Sequence, residues 1–341
     1  MKKRLLAMLM TGAMVASLAA CGGGSTTGGD TKTSDNKGGD TASTGSCSVD
    51  VILKTTASEY WSYVKAGAEA YAKDNSDVKV EVKGATSETA YDEQQNMIET
   101  DLNSGAYDAF VIAPLQADLV KTLIAGKSDP IIAVDTNIDA PEVLSFVGTG
   151  NEDAAALGGK EAVKAAQDAG WDKVQAIAIS GVQGDGTATA RLTGYEKGIT
   201  EAGGEFLKDE IQYADAVADK AATSMEAIMQ NHPEGVAIIV CNNDDMAIGV
   251  IAALNEVGYN LGDGGDEIIV IGVDCTDTAV EYINAGKLYG TVKQDGDAMG
   301  KANILMAING ALGKDWLDGT DYVMADDGFS IRIPYAKVTA E

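Results

Sequence analysis
The sequence predicts an α/β protein built as two similar lobes, each around a parallel sheet. Two observations carry this reading. Short apolar, β-rich runs alternate with stretches of helical spacing along most of the chain. There are also about a dozen such runs, too many for one comfortable open sheet. The length of 341 residues agrees, since domains hold roughly 100–200 residues each. With 45% hydrophobic residues, 23% charged residues and 5 Pro, the composition is globular, neither disordered nor fibrous.

In chain order, residues 49–55 form the first apolar run, and 60–74 follow with helical spacing. Strands are expected at 78–82, 109–113, 131–134 and 143–148, with helices at 91–103 and 117–125 between them. The scheme then repeats. Helices are expected at 153–169, 187–202, 219–230, 245–257, 278–285 and 298–311, and strands at 174–179, 206–213, 236–240, 268–273 and 289–292. Such alternation argues for βαβ units and hence parallel strands.

The first residues read as an address. Lys2, Lys3 and Arg4 precede an apolar stretch at 5–18, which is too short to span a bilayer comfortably. Leu18-Ala19-Ala20-Cys21 resembles a bacterial lipobox. It implies removal of a signal peptide at 1–20 and acylation of Cys21. Residues 21–46 hold eight Gly and ten Ser or Thr, and cannot bury enough apolar surface to order themselves. A flexible linker is therefore expected over 21–47. The protein is expected outside the cytoplasm, held by lipid at the outer face of the cell membrane.

Charge and residue counts exclude several functions. The net charge of −27 repels nucleic acid and anionic membrane surfaces. A single histidine, His232, leaves no basis for a His-based triad, a multi-His zinc site or a haem site. Cys47 ends the linker, and Cys241 and Cys275 end apolar runs as small buried residues. The Gly262–Glu267 stretch reads as a turn rather than a calcium loop. Gly184-Asp185-Gly186 lacks the further glycine of a dinucleotide fingerprint. No cofactor and no metal are expected.

Parallel α/β sheets bind ligands beyond the carboxyl ends of their strands. The polar residues that follow the apolar runs include Lys54, Asp135, Asn242, Asn243, Asp274 and Gln294, with Arg191 one turn into the helix after 174–179. Two carboxylates and two cations form a balanced set. It suits a neutral ligand covered in hydroxyls, which donate and accept at once. Tyr60 and Trp61, opening the first helix, offer flat faces to the C–H side of a sugar ring. Asp135 and Asp274 could instead be an acid/base pair of a hydrolase, but Lys54 and Arg191 would keep both ionised, so no catalytic residue is expected. No helix-turn-helix precedes residue 49, which argues against a repressor.

Over residues 49–341 the chain resembles the periplasmic monosaccharide-binding proteins of ABC importers, of the ribose, allose and galactose type. The matching segments are Leu53-Lys54-Thr55 with Tyr60-Trp61, Ile112-Ala113-Pro114, Ala133-Val134-Asp135, Leu157-Gly158-Gly159, Thr189-Ala190-Arg191 with Gly194-Tyr195, Asn242-Asn243-Asp244-Asp245-Met246-Ala247, Gly272-Val273-Asp274 and Gly286-Lys287-Leu288 followed by Gln294. The resemblance implies the type I periplasmic-binding fold, two Rossmann-like lobes joined by a three-strand hinge. It divides the chain into 48–150 plus 295–329 and 151–294 plus 330–341. It implies a monomer that closes on a sugar and delivers it to a permease and ATPase. Its ligand-binding residues would be Lys54, Tyr60, Trp61, Asp135, Arg191, Asn243, Asp274 and Gln294. Lys54-Thr55 and Ala113-Pro114-Leu115 look like the allose branch. Thr136 stands where ribose binders have Arg, and Tyr213-Ala214-Asp215-Ala216 lacks a stacking aromatic. The alternative is a receptor for a cyclic polyol such as inositol, or for a sugar-like autoinducer.

Overall fold
A computed structural model describes residues 46–265 and 267–340. The expected signal peptide, the expected acylation site Cys21 and most of the expected linker lie outside the described residues.

The first sheet is built from β1 (Cys47–Thr55), β2 (Val78–Ala85), β3 (Ala109–Ile112), β4 (Ile131–Val134) and β5 (Val143–Thr149), all parallel, in the order 2-1-3-4-5. Helices α1 (Glu59–Asp74), α2 (Tyr91–Ser104) and α3 (Ala117–Ile124) make the crossovers. After α4 (Asn151–Asp168) the plan repeats. It uses β6 (Gln175–Ser180), α5 (Gly186–Glu201), β7 (Glu205–Phe206), β8 (Gln212–Tyr213), α6 (Ala218–Asn231), β9 (Ile238–Cys241), α7 (Asp244–Glu256), β10 (Ile269–Asp274), α8 (Asp277–Asn284) and β11 (Gly290–Gln294). Here β6 lies between β7 or β8 and β9, so the second sheet has the order of the first. The fold is the α/β, two-lobed type I periplasmic-binding fold.

Both faces of each sheet are covered, which is why the strands read as nearly unbroken apolar runs. Val49, Val51 and Leu53 pack toward α1 and α9 (Gly296–Ala311), while Ile52 packs on the opposite face with Ile98 and Ile124. In the second lobe Ile177 and Ile179 pack with α6 and α7, and Ala176 and Ala178 with α4 and α5. Helix contact is close where side chains are absent. A Cβ on Gly194 of α5 would lie 2.1 Å from the Glu152 carbonyl oxygen of α4.

The chain crosses between lobes three times. It leaves the first lobe after β5, and returns after β11 through α9 (Gly296–Ala311), which packs on α1. The last crossing lies between β12 (Ser330–Ile333) and β13 (Tyr335–Thr339). β12 pairs parallel with β5, and β13 pairs antiparallel with β11. The expected return to the second lobe at residue 330 therefore falls at Pro334 instead.

Three further expectations change. Cys47 opens β1 and is 1% exposed, so it belongs to the first core and not to the linker. The strand expected at 206–213 is two short strands with a 3₁₀ turn, Lys208–Glu210, between them. Cys275 is only partly buried; it, Cys47 and Cys241 are free thiols. Among the described residues no helix is long and apolar enough to cross a membrane.

Candidate functional site
The strand ends of the two sheets face each other, and all eight expected residues line one cavity of about 40 Å³ between them. Lys54 is next to last in β1, Asp135 follows β4, Asn243 follows β9, Asp274 ends β10 and Gln294 ends β11. Asp135 and Asp274 have φ of 63° and 126°. Backbone in this region is costly for a residue with a Cβ and recurs where geometry is functional. Neither aspartate caps a helix, because the caps of α5, α7, α8 and α9 are Asp185, Asn243, Thr276 and Asp295.

On the first-lobe side, Tyr60 and Trp61 are each 3% exposed and meet edge to face at 5.3 Å. They belong to the core cluster and to the cavity wall at once. Trp61 Nε1 donates to Glu88 Oε1 at 3.2 Å. Lys54 Nζ lies 3.2 Å from Asp135 Oδ2 and 2.9 Å from Asp185 Oδ2 of the second lobe. Burial alone would lower the Lys54 pKa, but Asp185 and Asp135 hold it above the ordinary value. Burial would likewise raise Asp185, yet Lys54 and the Ala188 N–H hold it below.

On the second-lobe side, Arg191 donates from Nε to Asn151 Oδ1 at 2.8 Å and from Nη1 to the Asn242 carbonyl at 2.6 Å. These bonds fix the guanidinium as a rigid fork. Gln294 Nε2 donates to Asp274 Oδ1 at 2.6 Å, and Gln294 Oε1 is buried without a hydrogen-bond partner. Contrary to the expectation that Arg191 would keep it ionised, Asp274 is pushed by burial well above the usual carboxylate range, against the pull of Arg191. Asn243 Oδ1 accepts from Met246 N at 2.9 Å, so its oxygen is committed to capping α7 and only Nδ2 is left for other partners.

Further bonds join the lobes at two rims. Thr136 and Thr187 hydroxyls meet at 2.8 Å beside Asp135. On the far rim, Thr278 Oγ1 donates to Glu59 Oε2 at 2.7 Å and Asp277 N–H to Tyr63 Oη at 2.9 Å. A second, open cleft of about 1240 Å³ lies at the crossings, between Asn137, Asn151, Arg332 and Tyr335.

Sequence reasoning missed Glu88 and Asp185, both of which line the cavity. With them it holds four carboxylates against two cations, not two against two. Glu88 follows β2, which was expected to stop at 82 but runs to Ala85. Asp185 is an N-cap just before a glycine, a signal present but unused.

Two lobes of like topology thus enclose a polar, aromatic-walled cavity at their facing strand ends. The profile of the periplasmic binding protein domain matches residues 49–315. The chain belongs to the periplasmic binding protein family. That family consists of binding proteins, not enzymes. Among its curated relatives is the D-allose-binding periplasmic protein of Escherichia coli, 27% identical over 269 residues, covering 76% of this chain and 83% of that one. A solute binding protein from Agrobacterium radiobacter, solved with D-arabinose, is similar with a TM-score of 0.73 and 27% identity, covering 86% of this chain and 94% of that one. An ABC transporter solute binding protein from Bacillus halodurans, solved with myo-inositol, has a TM-score of 0.71 and 25% identity, covering 88% and 96%.

Proposed function
We propose that the protein is the substrate-binding lipoprotein of an ABC sugar importer. It binds a monosaccharide between its lobes and delivers it to the permease and ATPase. The observation that carries this reading is the convergence of eight residues from both lobes on one cavity. Asp135, Asp274, Arg191, Asn243, Gln294 and Lys54 would bond ring hydroxyls, and Tyr60 and Trp61 would cover the C–H face.

A cavity of about 40 Å³ holds a few waters. A sugar therefore enters only when the lobes part, and the lobes then close on it by differential affinity, leaving a wider cavity than the empty one. A cyclic polyol is the second reading, favoured by the similar structure that holds myo-inositol. A thermal-shift panel of pentoses, hexoses and cyclitols tests both, and the absence of any shift would count against a sugar site.

The lipobox and the Gly/Ser/Thr linker support acylation of Cys21 and attachment to the outer face of the cell membrane. Cys21→Ala should lose its acyl label and leave the membrane fraction. An unlabelled variant that stays in that fraction would contradict the anchor. The receptor acts as a monomer.

A further inference from the structure
The carboxylates around the cavity are not equally provided for. Asp135 and Asp185 share the Lys54 ammonium, and Asp185 also accepts the Ala188 N–H at the start of α5. Asp274 has Gln294 at 2.6 Å and the Arg191 charge nearby. Glu88 makes no salt bridge among the described residues, and the Lys54 charge reaches it only at longer range. Among the described residues its carboxylate receives one hydrogen bond, from the uncharged indole N–H of Trp61 at 3.2 Å. Burial raises its pKa, and the Lys54 charge and the Trp61 bond do not offset this.

A second observation points the same way. Gln294, 3% exposed, lines the cavity and leaves Oε1 as an acceptor without a donor. The cavity wall is thus short of both donors and positive charge. A hydroxyl supplies one donor and brings acceptor lone pairs of its own, whereas an ammonium supplies three donors, no acceptor and a full charge. The indole of Trp61 and the ring of Tyr60 in the same wall also favour a cation.

We infer that this site selects a ring that carries a protonated amine beside its hydroxyls, an amino sugar or an aminocyclitol, and that Glu88 receives the ammonium. The inference rests on the sugar-binding reading above and narrows its ligand class. It makes Glu88 a determinant of specificity, because Asp135 and Asp185 already share Lys54 and Asp274 is already bonded to Gln294.

The test is calorimetric titration of the full chain with matched pairs that differ only in one substituent. These are D-glucose with D-glucosamine, D-galactose with D-galactosamine, and myo-inositol with a monoamino-inositol. At least one amine should bind at least about tenfold tighter than its hydroxyl counterpart, the gap between a charge-assisted and a neutral hydrogen bond. That ratio should fall to near one in Glu88→Gln and return in part in Glu88→Asp. Hydroxyl members that bind as tightly as the amines would overturn the inference and leave the sugar-binding reading intact. So would an amine preference that survives Glu88→Gln. If no member of either series binds, both readings fail.

Discussion

Lys54 Nζ, on the first lobe, stands 2.9 Å from Asp185 Oδ2 on the second and 3.2 Å from Asp135 Oδ2 on its own. One ammonium thus ties the end of β1 to the start of α5 across the cleft. All three side chains are nearly buried. Removing one partner of a buried ion pair costs about 3–5 kcal/mol, because the remaining charges stay out of water. Here the lobes can part and readmit water instead. Lys54→Met is therefore expected to open the cleft, giving a larger radius of gyration than the parent in small-angle scattering without ligand. An equal radius would mean that the ion pair does not hold the lobes together.

The far rim makes an independent prediction. Glu59 accepts from Thr278 and Tyr63, and these bonds hold its carboxyl below the usual range even though burial opposes them. Glu59 lies outside the cavity wall, so its influence on binding runs through closure alone. Glu59→Ala should weaken affinity for a bound monosaccharide about two- to fivefold or more, as expected when its cross-lobe bonds from Thr278 are lost. Because its pKa is lowered, the clasp is intact at neutral pH and is lost only as pH falls through that lowered value. Unchanged affinity in the variant would remove Glu59 from the closure mechanism.

Asp50 sits inside β1 with no exposed side-chain surface, and burial outweighs Lys83 at 3.1 Å to push its carboxyl up to about 7. Folding therefore favours the protonated acid. That contribution is complete below the unfolded value of about 3.9 and is lost as pH rises toward 7. Asp50→Asn keeps the shape without the charge. Its Tm should exceed the parent's at pH 8, by about 2–4 °C for each kcal/mol gained, and approach it at pH 4. A variant less stable than the parent at pH 8 would show that the Lys83 pair outweighs the burial cost.

Gly194 is where α5 touches the backbone of α4, and a Cβ there would meet the Glu152 carbonyl oxygen at 2.1 Å. Backbone cannot step aside as a side chain can. Gly194→Ala should therefore destabilise the second lobe by about 1–3 kcal/mol or more, seen as a lower midpoint in urea unfolding. An unchanged midpoint would mean that the helices separate without cost.

The fold was legible because both faces of each sheet are covered. Runs such as Ile131–Val134 and Ile238–Cys241 are buried throughout and followed at once by a polar residue, Asp135 or Asn242. Legibility failed where a strand has a wet face. β2 alternates Lys79, Glu81 and Lys83 with valines, so its apolar signal faded at Val82 and hid Glu88 beyond it. β12 and β13 were missed as elements for a related reason: β13 is largely exposed, and the apolar run of β12 is broken by the exposed Arg332. Seven of the eight site residues sit at a strand end or a helix start, a local property, and Arg191 lies one turn further into α5. The pairing of Lys54 with Asp185 spans 131 residues, and no local pattern encodes it.

The central claim is that the cavity between the lobes holds a sugar ring through carboxylates at two facing strand ends. The most direct test is calorimetric titration of the parent, Asp135→Ala and Asp274→Ala with whichever monosaccharide or cyclitol the thermal-shift panel identifies. In a site shielded from water, each truncation strands ring hydroxyls at a cost of about 1.5–3 kcal/mol. The account predicts at least about tenfold weaker binding in each variant, with circular dichroism unchanged. Variants that both bind as tightly as the parent would contradict it.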